Sequence, residues 1–375
     1  MSTFPHASII LVGYNSAKWL PHALPALLGQ NYPANFDVIF VDNGSSDDSV
    51  ELVRRDFPAV RIVESEFNGG YAGGNNLGAE HATGEVLAFV NPDTRAEPNW
   101  LAELVRPLVR DRSIGITTSK IVRMDARDTI NACGNDISLS GITTCRAAGE
   151  TASVILIDED VPAVSGAACA IRRDLFLRLG GFDNQFFMYL EDTDLSWRVR
   201  MAGYRCRLAA RSVVAHDYSF QLTAMKTERI ERNRYLMLAK NLSFRSLIVL
   251  IPAFLAGEVA TWGWALSHGP RHTIAKTKAI GWMLAHLRLV LAMHARTQAT
   301  RRVSDATLLH IYRPAPAISE VSGGAAGQVA QAFLAPLFTL TAILALALIG
   351  LPANEPSTDA HVITSDASTT ARSGS

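Results

Sequence analysis

Two aspartates stand alone at the ends of apolar runs, Asp42 in VDNGSSDDS and Asp93 in NPDT (residues 91–94). Asp93, with Pro92 limiting the backbone before it, could bind a hard divalent cation that bridges phosphate oxygens. An Asn-Pro-Asp turn would read the same way. Asp42 could accept hydrogen bonds from a nucleotide base or ribose, or close an Asx-turn with Gly44. Between them, FNGGYAGGNNLG (67–78) holds five glycines in twelve residues, which would let backbone amides approach a ligand closely. A third cluster is FFMYLEDTDLSWRVR (186–200), where Glu191, Asp192 and Asp194 follow Phe186, Phe187 and Tyr189. Acids in a first helical turn complement its unpaired amides, so the cluster fits an N-terminal cap. Asp194 and Arg198, four apart, are spaced for an ion pair along that helix.

The elements around these residues follow one rhythm. SIILV, DVIFV, VRIVE and EVLAFV read as strands, and KWLPHALPALL, DSVELVRRDF and NWLAELVRPLV as helices between or after them. Such alternation predicts a mostly parallel sheet covered by helices, with ligands beyond the carboxyl ends of the strands. Four polar loops fall there: GYNS (13–16), DNGSSDDS (42–49), the glycine-rich run 67–78 read as a loop, and NPDT. Four separate turns in register are a poor explanation of that coincidence. Neither G-x-G-x-x-G nor G-x-x-x-x-G-K-[ST] occurs, which excludes the dinucleotide fingerprint and the P-loop. Residues 114–172 read as irregular and strand-rich.

Composition narrows the class further. The 375 residues are 48% hydrophobic and 19% charged, with 35 basic and 35 acidic residues, so no overall basic excess suggests a nucleic-acid partner. Cys133, Cys145, Cys169 and Cys206 form no C-x-x-C pair, and buried thiols are expected. The first residues lack a basic, apolar leader, from which cytosolic synthesis and residence are expected. Residues 333–351 carry no charge and would make a helix about 28 Å long, a transmembrane candidate. A buried helix is the competing use. Arg301, Arg302 and Arg313 before it, against Glu355 and Asp359 after it, place the preceding body on the cytoplasmic side. From residue 222 a basic helical pattern runs into the apolar LIVLIPAFLAGEVATWGWAL, which suits either a membrane surface or a helix packed on the preceding domain.

Taken together, GYNS, VDNGSSDDS, NGGYAGGNNLG, NPDT, SGAACAIRRDLFLRLGGFDNQFFMYLEDTDLSWRVRMAGY and AHDYS resemble the inverting nucleotide-sugar glycosyltransferases of family 2, especially the bacterial rhamnosyltransferase-like branch. The resemblance spans roughly residues 8–245. It implies an α/β fold of the GT-A type, a mostly parallel sheet flanked by helices, to which the basic and apolar pattern after residue 222 adds a helical, membrane-associated extension. The corresponding division is a catalytic domain over 1–221 (donor half about 1–112, acceptor half about 113–221), an extension over 222–325, a candidate transmembrane helix over 326–351 and a disordered tail over 352–375. By the same likeness, Gly13, Tyr14, Asn15, Asp42 and Asn43 lie near the donor base and ribose, and Gly70, Asn75 and Asn76 belong to a loop that closes over the donor. Asp93 matches the last acid of a D-x-D metal motif whose first acid is here Asn91, and His216 matches a histidine that completes the site for Mg2+ or Mn2+. Asp192 matches the catalytic base, Glu191 an acceptor contact, and Phe186, Phe187, Tyr189 and Trp197 the acceptor side.

The implied reaction moves a sugar, rhamnose from dTDP-rhamnose or another sugar from a dTDP- or UDP-linked donor, to a lipid-linked or cell-envelope glycan. Its place would be the cytoplasmic face of a bacterial inner membrane. Alternatives are a transferase using another NDP-hexose, a non-catalytic nucleotide-sugar-binding protein of the same fold, and a nucleotidyltransferase, for which GYNSAKW makes a poor basic phosphate loop.

Overall fold

The computed structural model describes residues 4–217, 221–316 and scattered positions between 332 and 349. Its first half alternates strand and helix: β1 (Ala7–Gly13), α1 (Leu20–Leu28), β2 (Phe36–Asp42), α2 (Ser49–Asp56), β3 (Arg61–Glu64), α3 (Gly70–His81), β4 (Val86–Val90), β5 (Thr94–Ala96) and α4 (Trp100–Arg110). β1, β2, β3 and β4 pair in parallel in the order β4-β1-β2-β3; β1, β4 and the end of β2 are apolar and buried on both faces, while the edge strand β3 buries only Val63. The glycine-rich run is a correction to the sequence reading. Most of it is helical, forming the start of α3 rather than a loop. Gly74 and Gly78 sit where a Cβ would come within 2.5 Å of Val12 and Ile10, so their bareness lets α3 lie flat on β1.

The second half adds β6 (Ile114–Arg123), β7 (Ile130–Ala132), β8 (Asn135–Ile137), β9 (Thr143–Cys145), β10 (Glu159–Asp160), β11 (Ala168–Arg172), α5 (Arg173–Arg178), α6 (Glu191–Met201) and β12 (Arg205–His216). β11 inserts antiparallel between β4 and β6, and β12 runs parallel to β6. Parallel pairing therefore holds on both sides of β11, among β4, β1, β2 and β3 and between β6 and β12, and the antiparallel β11 and β10 make the sheet mixed: β10-β12-β6-β11-β4-β1-β2-β3. Cys133, Cys169 and Cys206 are buried as expected, while Cys145 is exposed.

Helices complete the chain: α7 (Ala224–Asn241), α8 (Phe244–Val249), α9 (Ile251–Ser267), α10 (Pro270–Ala285), α11 (Leu287–Ala299) and α12 (Asp305–Leu309). Their buried residues share one apolar cluster with the earlier half, in which Leu236, Met237 and Met293 meet Ile137, Phe186, Trp197 and Met201. Among the described residues no helix is long and apolar enough to cross a membrane. The candidate span over 326–351 lies largely outside the described residues, and the tail over 352–375 lies wholly outside them.

Candidate active site

Asp192 is the second residue of α6, and its carboxylate is surrounded by donors. Gly166 N gives a hydrogen bond to Oδ2 at 2.7 Å and Asn135 Nδ2 another at 3.2 Å, while Thr193 N donates to Oδ1 at 2.6 Å. Burial raises the carboxyl above the ordinary aspartate range, against the pull of these hydrogen bonds, which favour the charged form. The close approach needs Gly166, where a Cβ would stand 3.3 Å from Asp192 Cβ and 3.1 Å from Tyr71 Oη. Glu191 beside it is buried, with Oε2 taking no hydrogen bond, and desolvation followed by the Asp192 charge pushes it well above the glutamate range. Asp194 is wholly internal. Its Oδ2 meets Arg198 Nε and Lys240 Nζ, each at 2.9 Å, and Asn241 donates to Oδ1. Although desolvation opposes it, Lys240 and then Arg198 hold Asp194 below its usual value. The three acids of one turn thus separate: one braces the core and two face a cavity.

The chain reaches α6 through a tight turn in which Phe187, Tyr189 and Leu190 all have positive φ, at 62°, 72° and 66°. Non-glycine residues pay for that region of backbone space, and the surroundings must hold them there. Asn233 of α7 does so: its Nδ2 lies 3.0, 3.0 and 2.7 Å from the carbonyl oxygens of Phe186, Met188 and Tyr189. From the other side, Ala72 N donates to Phe187 O at 3.1 Å. Gly70, at φ 70°, is the close neighbour there, since a Cβ on it would fall 2.2 Å from that oxygen.

Sheet pairing brings the second acid in. β5 and β12 are antiparallel with His216 opposite Thr94, which puts His216 Nε2 at 3.2 Å from Asp93 Oδ1. Nδ1 of the same ring lies 3.0 Å from Asn131 Oδ1. Asp93 Oδ1 is buried and takes no hydrogen bond. A carboxylate oxygen and an imidazole nitrogen facing one another suit a divalent cation whose remaining ligands are substrate oxygens, as is usual for Mg2+. Among the described residues no group of three or more metal-ligating side chains occurs, so this pair is a partial site.

Glu191, Asp192, Tyr189 and His216 line one cavity of about 400 Å³, together with Asn91, Asn131, Asn135 and Gly166. The cavity continues between the later helices, where Ile230, Trp264, Arg234 and Lys276 form its wall. Gly13, Tyr14, Asn15 and Asp42 gather apart from it, at the adjoining ends of β1 and β2. There Tyr14 is exposed and Asp42 Oδ1 is buried without a hydrogen bond, a donor-seeking oxygen at a strand end.

Several expected contacts take other forms. Asn43 spends its side chain on Asn68, Gly69 and Gly70. Asn75 bonds back to Tyr71 O inside α3, and Asn76 clamps Phe182 and Asn184, so neither sits on a closing loop. Trp197 is a correction: it is 1% exposed and packs edge-on against Tyr312, buried in the core instead of lining the acceptor side. Phe186 is likewise in the core, and Phe187 lies under the Arg229 guanidinium at 4.3 Å. Asn135, Gly166, Asn131 and Asn233 were not singled out from sequence. Ser165-Gly166 belongs to a motif that was noticed, but nothing in a lone Asn marks it as a partner of a residue tens of positions away.

With this geometry in view, residues 8–180 match Glycosyl transferase family 2. That segment, just under half of the chain, has the sequence pattern of a family 2 glycosyltransferase domain. The matched segment stops before Asp192, so α6, β12 and the helical part lie beyond it. Within relatives of this domain, glycosyltransferase AglE of Haloferax volcanii is 36% identical over 105 residues, 27% of this chain and 34% of that protein. The O-antigen biosynthesis protein RfbC of Myxococcus xanthus is 27% identical over 233 residues, 57% of this chain and 17% of that protein. The chain spans between 17% and 34% of the first curated relatives it matches. The crystal structure of GalNAc-T7 with UDP, GalNAc and Mn2+ superposes with a TM-score of 0.56 at 17% identity, covering 68% of this chain and 51% of that one. The glycosyltransferase domain accordingly has the α/β fold of the GT-A type, built on a mixed central sheet.

Proposed function

We propose that the protein is an inverting, metal-dependent glycosyltransferase that moves a sugar from a nucleoside diphosphate sugar to a hydroxyl of a lipid-linked or cell-envelope glycan. The observation that carries this is the single cavity shared by Asp192 and by His216, the neighbour of Asp93. In the reaction the acceptor oxygen attacks the anomeric carbon, its proton passes to the Asp192 carboxylate, and the nucleoside diphosphate leaves with the bonding pair. A positioned base of this kind contributes on the order of 100- to 10,000-fold in rate. Gly166 N, Asn135, Thr193 N and the Thr193 hydroxyl together fix the position of the carboxylate. Glu191, whose burial favours the protonated form, would act as a hydrogen-bond donor toward the acceptor.

Asp93 and His216 would hold Mg2+ or Mn2+, which would offset the charge that develops on the departing diphosphate. Mn2+ with UDP in GalNAc-T7 supports this assignment. Asp42, with its buried oxygen without a hydrogen bond, would receive a donor from the base or ribose, flanked by Gly13, Tyr14 and Asn15. Within this class we favour the rhamnosyltransferase-like branch with dTDP-rhamnose as donor, and a place at the cytoplasmic face of a bacterial inner membrane. The likeness to an O-antigen biosynthesis protein supports an envelope glycan as acceptor. In this reading residues 1–221 are the catalytic unit and 222–325 the membrane-associated extension.

The test is release of nucleoside diphosphate from a panel of NDP-sugars, with and without EDTA, in the presence of lipid-linked acceptors. Release from one donor, abolished by EDTA and by Asp192→Asn, is expected. No acceptor-stimulated release from any donor overturns the reading.

A further inference from the structure

Between Glu258 and Asp305 the chain contains no acidic residue. That stretch covers most of α9, all of α10 and all of α11, and its surface is both apolar and cationic. Along α9, Ile251, Leu255, Val259 and Leu266 are spaced by four, four and seven residues, within one helical stripe, and are 47–64% exposed. At the junction of the next two helices Leu284, Leu287 and Leu291 are 72%, 55% and 48% exposed. Arg271, Lys278, Arg288 and Arg296 are exposed on the same helices, with Lys278 four residues from Ile274 and Arg288 three from Leu291. Scattered exposed leucines are ordinary, but an apolar stripe on α9 followed by exposed leucines beside cations on α10 and α11 is not.

We infer that the outer face of α9, α10 and α11 seats the protein on an anionic lipid bilayer. Leucine side chains enter the boundary of the acyl chains, and the arginines and lysine meet lipid phosphates. Trp262 and Trp282, two of the six tryptophans in the chain, fall in this part, the type of residue that favours a membrane–water interface. A second copy of the chain is a poorer occupant, because a two-fold contact would bring like charges together. The inference deepens the function given above and rests on it for the nature of the acceptor. α9 has its apolar stripe outside and places Ala260, Thr261 and Trp264 on the wall of the Asp192 cavity, so the helix that touches lipid also lines the pocket for a lipid-borne substrate.

The test is co-sedimentation of the full chain with phosphatidylcholine vesicles, with and without phosphatidylglycerol, at low and high salt. Binding confined to the anionic vesicles and weakened by salt is expected. Lys278→Glu with Arg288→Glu should lower partitioning by at least about fivefold per cation lost. Leu284→Ser, Leu287→Ser and Leu291→Ser together should lower it at both salt concentrations, with circular dichroism confirming the fold. Variants that bind as the wild type does, equal binding to neutral vesicles, or loss of self-association in their place overturn the inference. Vesicle binding without nucleoside diphosphate release would instead sink the transferase reading alone, and release without vesicle binding the membrane face alone.

Discussion

Asn233 Nδ2 lies 2.7 Å from the carbonyl oxygen of Tyr189, 44 residues earlier, and closes the turn that delivers Asp192 to the cavity. A helix beyond the family 2 segment thus fixes the geometry of the candidate base. Three non-glycine residues with positive φ cost on the order of 1–3 kcal/mol each, and the side-chain amide helps to hold them.

Asn233→Ala should release that turn and let α6 start elsewhere. The expected result is a fall in kcat of about ten- to a hundredfold, the range that misplacement of a catalytic group produces. Affinity for the nucleoside diphosphate, measured by calorimetry, should stay near the wild-type value, because the β1 and β2 ends are untouched. Asn233→Asp should fail to rescue, since a carboxylate cannot donate to three carbonyls. Equal losses in donor affinity and kcat would point to general unfolding in place of a positioning role.

Asp192 makes a prediction about pH. Transfer needs the ionised carboxylate, so activity falls on the acid side of its pKa, and burial puts that limb above the ordinary aspartate value of about 3.9. Asn135 Nδ2 donates to the charged form. Asn135→Ala should therefore raise the pKa and move the acid limb of kcat to higher pH, with activity recovering on the alkaline side. An acid limb at the same pH in both proteins removes Asp192 as the titrating base.

Asp93→Ala removes the carboxylate that faces His216 at 3.2 Å. Donor binding stimulated by Mn2+ should drop to the level seen with EDTA, while metal-independent binding of the nucleoside alone persists through the Asp42 end. Isothermal titration of nucleoside diphosphate with and without Mn2+ separates the two. An unchanged metal response would leave the Asp93–His216 pair as a structural contact only.

How much of this was legible in the chain differs by distance. The strand–helix alternation through residue 110 and the ion pair of Asp194 with Arg198 follow from local periodicity, and the structure has both. The mixed sheet was not legible, because β11 is inserted antiparallel by pairing with strands far away in sequence. A short helix is expected before β4, but its glycine-rich start reads as a loop: glycine is a poor helix former, and the contact of Gly74 and Gly78 with β1 offsets its propensity. The family resemblance puts Trp197 on the acceptor side, yet on α6 it packs against Tyr312. Asn135 and Asn233 were invisible for the opposite reason. A single amide carries no pattern, and its partner is set by tertiary packing alone.

Glu191 makes the last prediction, one about stability. In the folded protein its carboxyl is raised well above the glutamate range, first by desolvation and then by the charge of Asp192, and Oε2 has no donor. Unfolded, it should titrate near about 4.3. Above that value the folded state keeps a proton that the unfolded state has lost, so stability declines as pH rises toward the folded pKa, by up to about 1.4 kcal/mol per pH unit for this one group. Glu191→Gln keeps the shape and cannot ionise, so urea unfolding at a series of pH values should show a flatter curve and higher stability at neutral and alkaline pH. Asp194 sets the opposite sign. Its pKa is lowered by Lys240 and Arg198 against desolvation, so its contribution is present above the ordinary aspartate value and lost on acidification. The variant should therefore still lose stability in acid as the wild type does. Curves for the two proteins that run parallel from the glutamate range upward would mean that Glu191 is ionised in the fold, and its role as a protonated donor to the acceptor would fail with it.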